Sequence, residues 1–158
     1  MYKTVVFDLD GTLLNTLTDL ADAGNRLCRK YGWPTHERQA YRYFVGNGIP
    51  KLVERLAPAD QRTPAVLEAA LADFKRDYGQ HLRDTTAPYP GIPEMLAKLK
   101  TNGVQLAVFS NKADALAKEV VKDYFGTQYF TIVRGQMTGV APKPAAEGTN
   151  ALLQALHA

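Results

Sequence analysis

Two carboxylates separated by a single residue come at the end of the first predicted strand. Asp8 and Asp10 follow an apolar run that predicts a short buried strand over residues 3–9. Alternate side chains of an extended chain point the same way, so the two carboxylates repel unless a cation lies between them. Oxygen-rich sites of this kind suit Mg²⁺, which keeps several waters and takes further ligands from a substrate phosphate. Gly11 then lets the backbone approach a ligand, and Thr12 adds a hydroxyl and a backbone N–H. Taken alone, the pattern also fits a strand followed by an ordinary Asp-Gly turn that Asp10 caps.

A second polar cluster follows a later apolar run. Ser110 and Asn111 come after the predicted strand 104–109, at the point where a helix is predicted to begin at Lys112. A hydroxyl, an amide and helix N-terminal N–H groups at one place form an anion site. The alternative interpretation is that Ser110 or Asn111 only caps the helix.

A lysine with a proline on each side lies in the loop before the last predicted helix. Pro142 and Pro144 restrict the backbone around Lys143 and hold that residue in a defined place. An ammonium group there can neutralise both a phosphate and a nucleophilic carboxylate. Taken alone, the residue also fits a solvated loop lysine.

The predicted elements bring these three groups to one edge of a sheet. Each group follows a strand, and helices separate the strands along the chain. The order strand, helix, strand, helix, strand, helix predicts an α/β fold with a Rossmann-like parallel sheet and right-handed crossovers. Because open parallel sheets bind ligands beyond the carboxyl ends of their strands, that edge is the expected site.

An all-helical segment interrupts this core immediately after the first strand. Helical spacing dominates residues 16–85, with helices predicted over 17–31, 37–44, 49–56 and 64–82. Thr63 is the predicted N-cap of the last of these helices, and Pro64 is its first residue. This pattern predicts a small helical cap domain, while residues 1–15 and 86–158 form the discontinuous α/β core. The insertion point makes the segment suitable as a lid. Gly46, Asn47 and Gly48 break two helices within it and are a candidate loop for substrate contact, or a plain helix break.

The composition excludes several classes of protein. Hydrophobic residues make up 46% of the chain and charged residues 22%, values that favour a packed globular domain. No apolar run has the roughly 20 residues that span a bilayer, no signal-peptide pattern is present, and the single Cys28 excludes an internal disulfide framework. The net charge of +3 comes from scattered basic residues, which disfavours nucleic-acid binding. We therefore expect a cytoplasmic protein without membrane or nucleic-acid partners.

Together the three groups resemble the motifs of one known family. The segment Phe7–Thr16, with Asp-Leu-Asp-Gly-Thr at its centre, is similar to the first motif of the haloacid dehalogenase superfamily. Val108–Lys112 resembles the second motif, and Lys143-Pro144 the third. The resemblance covers essentially the whole chain and is closest to the phosphoglycolate-phosphatase-like members, which carry a helical cap after the first motif.

This resemblance implies a Mg²⁺-dependent phosphatase that acts on a small organic phosphate monoester such as 2-phosphoglycolate. It makes Asp8 the nucleophile that forms an aspartyl-phosphate, and Asp10 the general acid and base. It also assigns Mg²⁺ to the Asp8 carboxylate and the Asp10 backbone carbonyl. It further implies that the Ser110 hydroxyl and backbone N–H groups bind the phosphoryl oxygens.

The remaining roles implied by the family concern charge and specificity. Lys143 would stabilise the charge of the transition state, and the N–H groups that hold phosphate would come from near Gly11, Thr12 and Asn111. The cap would help to choose the substrate. The expected partner is a small phosphorylated metabolite, and the expected state is a monomer or a homodimer.

The sequence differs from the family in its last part. The family has a fourth, acidic motif after a further strand, which supplies the remaining Mg²⁺ ligand, whereas no Asp or Glu follows Glu147 here. We consider a fragment of a full enzyme, a truncated and poorly active product, or a strand supplied by another chain, and favour the first. We expect residues 1–158 by themselves to bind Mg²⁺ weakly and to hydrolyse phosphate esters slowly.

Two other functions remain open from the residues. A sugar phosphomutase of the same superfamily would use the same Asp8 phosphoenzyme but return the phosphate to a sugar. A truncated, non-catalytic phosphate-binding module would bind without turnover. A dinucleotide-binding domain is disfavoured, because no G-x-G-x-x-G follows the first strand.

Overall fold

Strands and helices alternate along the chain, with a run of helices between the second and third strands. A computed structural model describes residues 2–158. The strands are Thr4–Phe7 (β1), Leu14–Asn15 (β2), Ala87–Pro88 (β3), Gln105–Ala113 (β4) and Phe130–Gln136 (β5). The α-helices are Leu17–Tyr31 (α1), Tyr41–Phe44 (α2), Ile49–Leu56 (α3), Pro64–Gln80 (α4), Ile92–Thr101 (α5), Asp114–Phe125 (α6) and Ala146–Leu156 (α7). Short 3₁₀ turns occupy Arg38–Ala40 and Ala59–Gln61.

The chain divides into two compact units. One unit, called here the α/β unit, combines Met1–Asn15 with Ala87–Ala158. The other, called the helical unit, is Thr16–Thr86. The helical unit is therefore inserted between β2 and β3, which pair with each other as a two-residue antiparallel ladder.

A three-stranded parallel sheet forms the centre of the α/β unit. The strand order is β1-β4-β5, and both pairs of neighbours run parallel. Along β4, Leu106 and Val108 belong to a buried cluster with residues of α5 and α6, whereas Ala107 and Phe109 belong to a second cluster with Leu152 and Leu156 of α7. Alternate residues of a strand point to opposite faces, so the sheet carries helices on both sides. The predicted α/β fold with a parallel sheet and a helical insertion is confirmed.

Helix α1 has the bounds that its apolar spacing predicts, and its end follows from the backbone. Gly32, with φ of 68°, closes the helix in the left-handed conformation that glycine adopts at low cost. Thr16 precedes the helix but makes no capping hydrogen bond through its side chain. Cys28 lies fully buried in α1, where burial raises the pKa of the thiol to about 11 and leaves it protonated at neutral pH.

Helix α4 begins at a proline after a capping threonine, as predicted. The Thr63 side chain accepts a hydrogen bond from Val66 N at 3.4 Å. Phe74 and Tyr78 of this helix are buried inside the helical unit. The segment predicted as a helix over 37–44 is instead a 3₁₀ turn followed by the four-residue helix α2.

A buried carboxylate joins the two ends of the helical unit. Asp19 in the first turn of α1 is 2% exposed, and it accepts hydrogen bonds from the backbone N–H groups and the hydroxyls of Thr85 and Thr86. Burial alone would raise the pKa of Asp19, but the four donors stabilise the carboxylate and hold the pKa below its usual value. The insertion therefore starts and ends at neighbouring points.

Across residues 2–158, none of the helices combines the length and the apolar character that crossing a bilayer requires.

Candidate active site

Asp8 directly follows β1 and presents an accessible carboxylate. Its side chain is 46% exposed, in contrast to the buried Leu9 beside it. The Oδ1 atom lies 3.0 Å from the Nζ atom of Lys143 and accepts a hydrogen bond of 2.8 Å from Leu9 N. An exposed carboxylate with a cation on one of its oxygens is accessible to an anionic ligand, and a carboxylate can act as a nucleophile.

Lys143 is held at this place by both its side chain and its backbone. Its Nζ donates to the carbonyl oxygen of Phe109 at 2.6 Å, which adds to the ion pair with Asp8. The Asn111 side chain accepts from Lys143 N at 2.8 Å and donates to Lys143 O at 3.2 Å. The Lys143–Pro144 peptide bond is cis. Asn111 thus fastens the loop of the third motif to the strand of the second.

Asp10 is paired with a different lysine. The Nζ atom of Lys112 lies 3.1 Å from Asp10 Oδ1, and the two side chains are 3% and 21% exposed. Each of the two carboxylates therefore has its own ammonium partner. The sequence indicated that the repulsion between the two carboxylates needs a cation to offset it, and each carboxylate has one lysine beside it.

The turn after Asp10 folds back on itself. Gly11 has φ of 78° and donates its N–H to Leu14 O at 2.8 Å. The Thr12 N–H donates to Leu9 O at 3.2 Å, and both residues are exposed. The two backbone N–H groups expected to hold phosphoryl oxygens are thus engaged in the turn.

Ser110 and Asn111 do not lie at a helix N-terminus, which corrects the prediction. Strand β4 continues to Ala113, and α6 begins only at Asp114. The prediction was wrong because β4 pairs with β5 beyond the apolar run, through Ala113 and Gln136. The anion site therefore cannot draw on the N–H groups of a helix at Ser110.

A bulge in β4 carries these polar residues. Phe109 pairs with Arg134 and Ala113 with Gln136, so three residues of β4 face the single Gly135 of β5. The nearly buried Ser110 hydroxyl accepts from Lys112 N at 3.1 Å within the bulge. In a regular strand these side chains would alternate between the two faces of the sheet. The bulge gives them other directions.

A carboxylate of the next helix secures the bulge from the other strand. Asp114 Oδ1 accepts the backbone N–H of Gly135 at 2.9 Å, and its other oxygen pairs with Lys118 Nζ at 2.7 Å. Burial tends to raise the pKa of Asp114, but the Lys118 and Gly135 hydrogen bonds together lower it. Nothing in the sequence indicated the contacts of Asp114 with Gly135 or of Lys112 with Asp10, because these contacts join segments far apart in the chain.

The predicted loop Gly46, Asn47 and Gly48 lies in the helical unit, between α2 and α3. Gly46 and Gly48 have φ of 106° and 85°, which favours glycine at both positions. Asn47 Oδ1 accepts a 3.0 Å hydrogen bond from Arg55, whose guanidinium also donates to the carbonyls of Tyr43 and Phe44. The loop is therefore ordered by a residue of α3.

Among the predicted site residues, Asp8, Asp10, Ser110, Asn111 and Lys143 come together in the α/β unit.

The donors in the α/β unit are compatible with a Mg²⁺ ion. Asp8 and Asp10 offer two carboxylates and their backbone carbonyls. Larger sets of ligands, with three or more His, Cys, Asp or Glu side chains that could hold a metal, do not occur within residues 2–158. Mg²⁺ usually binds through one or two carboxylates and completes its shell with waters and phosphate oxygens. The two aspartates supply that minimal set.

A family model described as Haloacid dehalogenase-like hydrolase matches residues 5–158. The chain belongs to this family. It is 32% identical over 145 residues to a phosphoglycolate phosphatase of Thiobacillus denitrificans, covering 90% of this chain and 64% of the relative. A phosphoglycolate phosphatase of Neisseria meningitidis is 34% identical over 146 residues, covering 90% of this chain and 62% of the relative. The chain thus spans a little less than two thirds of the length of these curated relatives.

Two solved structures have a similar fold. A candidate phosphoglycolate phosphatase of Lactobacillus delbrueckii subsp. bulgaricus superposes with a TM-score of 0.90 at 28% identity, covering 99% of this chain and 74% of that one. CbbY of Rhodobacter sphaeroides, solved in complex with phosphate, gives a TM-score of 0.78 at 21% identity, covering 100% and 74%. The second likeness concerns the fold alone.

Proposed function

We propose that the α/β unit catalyses the hydrolysis of a small organic phosphate monoester, resembling 2-phosphoglycolate, through an aspartyl-phosphate. The observation that carries this proposal is the exposed Asp8 carboxylate with Lys143 Nζ 3.0 Å from its Oδ1 atom. The names of the curated relatives support phosphoglycolate as the substrate class. Family membership supports the hydrolytic reaction.

The first half of the reaction transfers the phosphoryl group to the protein. A carboxylate oxygen of Asp8 forms a bond to phosphorus while the bond from phosphorus to the ester oxygen breaks, and Asp10 gives its proton to the departing alcohol. Because Oδ1 of Asp8 already contacts Lys143 Nζ and Leu9 N, we assign the attack to Oδ2. Lys143 stabilises negative charge on the transferring group, and the Ser110 hydroxyl donates to a phosphoryl oxygen.

The second half releases inorganic phosphate. Asp10, now a carboxylate, takes a proton from a water molecule whose oxygen attacks phosphorus, and the bond to Asp8 breaks. Asp8 returns as a carboxylate, and Asp10 is protonated for the next cycle. The Asp8 carboxylate and the Asp10 backbone carbonyl are suited to hold Mg²⁺, which supplies charge neutralisation between the phosphate and Asp8.

The same proposal includes the helical unit and the setting of the enzyme. Backbone groups near Gly11, Thr12 and Asn111 hold the phosphoryl oxygens, and Gly46, Asn47 and Gly48 of the helical unit contribute to the choice of substrate. The partner is a small phosphorylated metabolite, in the cytoplasm, and the protein acts as a monomer or homodimer. The family resemblance supports these assignments.

Replacement of the nucleophile tests the proposal. Phosphate release from 2-phosphoglycolate and p-nitrophenyl phosphate is measured with Mg²⁺ and with EDTA. We expect Asp8→Asn to lower the rate at least about 1,000-fold, because the covalent route is lost. Asp60→Asn, which changes an exposed aspartate of the helical unit, serves as the matched control and should leave the rate unchanged.

Chemical trapping separates this function from its alternatives. Borohydride reduction of the acid-quenched protein converts a phosphoaspartate to homoserine, and peptide mass spectrometry should locate that change at Asp8. An isomerised sugar phosphate without phosphate release would identify a mutase. Binding of BeF₃⁻ at Asp8 without turnover would identify a non-catalytic phosphate-binding module.

A further inference from the structure

Lys112 is the most deeply buried charged group of the site, and the reaction described above does not use it. Its side chain is 3% exposed, and its Nζ lies 3.1 Å from Asp10 Oδ1. A buried ammonium is stable in a fold only when a counter-charge lies close to it. The partner is the aspartate to which the proton transfers are assigned, rather than a surface carboxylate.

The bulge in β4 is what brings Lys112 to Asp10. Three residues of β4 face Gly135, so Lys112 does not follow the side-chain alternation of a regular strand. A Cβ on Gly135 would lie within the van der Waals radii of Lys112 O and 2.5 Å from Asp114 Cα, so the close approach of the two strands requires glycine. The position of Lys112 is therefore built into the backbone and supported by Asp114, which binds Gly135 N.

Each of the two ion pairs holds one of the two carboxylates. Lys143 pairs with Asp8, and its side chain is 25% exposed, so its ammonium group has room to move with a bound phosphate. Lys112 pairs with Asp10, and its side chain is nearly inaccessible. Two adjacent carboxylates without separate partners would repel and turn away from each other. With separate lysines, each side chain has one preferred direction before substrate binds.

We propose that Lys112 is a positioning residue that holds the Asp10 carboxylate in the orientation from which it takes a proton from the attacking water. The inference rests on the proposed function, since it assigns a role relative to the reaction of Asp8 and Asp10. Lys112 contacts Asp10 and acts through it, and the substrate is bound by other groups. Its loss should therefore slow turnover with little change in substrate binding.

Kinetic constants of Lys112 variants test the role. Because supporting residues around a reacting group commonly change activity by about 10–100-fold, we expect Lys112→Met to lower kcat by that factor and to change KM by less than about threefold. Lys112→Arg, which keeps the charge, should recover part of kcat. Lys98→Met, at an exposed lysine of α5, is the matched control and should behave as the unchanged protein. Equal kcat values for Lys112→Met and Lys98→Met would overturn the proposal.

A double-mutant cycle tests the pair without relying on activity. Breaking a buried ion pair should lower the midpoint of thermal unfolding by roughly 5–10 °C in Lys112→Met, and the shift in the double variant Asp10→Asn/Lys112→Met should be smaller than the sum of the single shifts. Additive shifts would contradict the pair. Non-additive shifts with an unchanged kcat would reduce Lys112 to a stabilising residue and overturn the positioning role. If the unchanged protein shows no turnover, the proposed function fails, while the cycle still decides whether Lys112 holds Asp10.

Discussion

The side chains of the site are held in place by residues that do no chemistry themselves. Asn111 is the clearest example, since its amide makes two hydrogen bonds to the backbone of Lys143, 32 residues further along the chain. Lys143 in turn contacts Asp8 and the carbonyl of Phe109. The position of the ammonium therefore depends on an amide that the sequence suggested only as a cap or a phosphate ligand.

Asn111→Ala tests this dependence. The change leaves Lys143 in the chain but removes both hydrogen bonds to its backbone, so we expect a stability loss of about 1–2 kcal/mol and a fall in kcat of about 10-fold. Urea unfolding and steady-state kinetics with p-nitrophenyl phosphate measure the two effects. Asn150→Ala, at an exposed position of α7, provides the control. A kcat equal to that of the control would show that the Lys143 loop holds its place unaided.

The reacting residues could be predicted from the sequence better than their supports. Asp8 and Lys143 were recognisable because each follows a strand pattern and has a distinctive neighbourhood, Asp-Leu-Asp-Gly or Pro-Lys-Pro. Lys112 gave no such signal, because its partner Asp10 lies far away in the chain, after β1. A lysine next to Asn111 reads as the start of a helix until the pairing of β4 with β5 is known.

At the scale of elements, regular periodicity was predictable and its interruptions were not. Helices α1 and α3 have the bounds that apolar spacing predicts. The bulge in β4 was not predictable, since three polar residues after an apolar run give no period-2 signal and the pairing that extends the strand is non-local. The β2–β3 ladder has two residues in each strand, too few for any pattern.

Gly135→Ala tests whether the bulge is needed. The added methyl group would meet the backbone at Lys112 and Asp114 instead of a flexible side chain, so we expect a destabilisation of about 1–3 kcal/mol. Activity should fall as well, because Ser110 and Lys112 share that bulge.

The helical glycine Gly79 provides the matched control for this change. A Cβ at Gly79 would meet nothing within 4 Å, so Gly79→Ala should be neutral or stabilise by up to about 1 kcal/mol. Urea unfolding of both variants gives the comparison. Equal stabilities of the two variants would mean that the strands can separate at Gly135 without loss.

At the scale of the whole molecule, the chain forms two compact units, and the helical unit is a single insertion in the α/β unit. The helical unit leaves after β2 and returns to β3, and its first and last segments are joined by Asp19 with Thr85 and Thr86. Joining residues this far apart in the chain requires contacts that offset the entropy of closing the loop. A buried carboxylate that accepts four hydrogen bonds is well suited to that task, because charge-assisted hydrogen bonds are the stronger kind.

Asp19→Asn should therefore destabilise the helical unit in a manner that depends on pH. An asparagine side chain cannot accept all four hydrogen bonds, so we expect a loss of about 2–3 kcal/mol at pH 7. The pKa of Asp19 is lowered in the folded protein, so its stabilisation is complete above the ordinary aspartate pKa and is lost as the pH falls through the folded value. The difference between the two proteins should thus be constant from pH 7 to about pH 5 and should shrink below about pH 4.

The fluorescence of Trp33 reports on the unfolding of the helical unit alone. Trp33 is the single tryptophan of the chain and is buried within that unit, so its fluorescence during urea unfolding follows the unit that Asp19 closes. Asp22→Asn, an exposed change in the same helix, controls for the removal of one negative charge. A stability difference between Asp19→Asn and the unchanged protein that stays the same from pH 7 to pH 3 would contradict the assignment, because an uncharged Asp19 would then hold the ends of the unit as firmly as the carboxylate does.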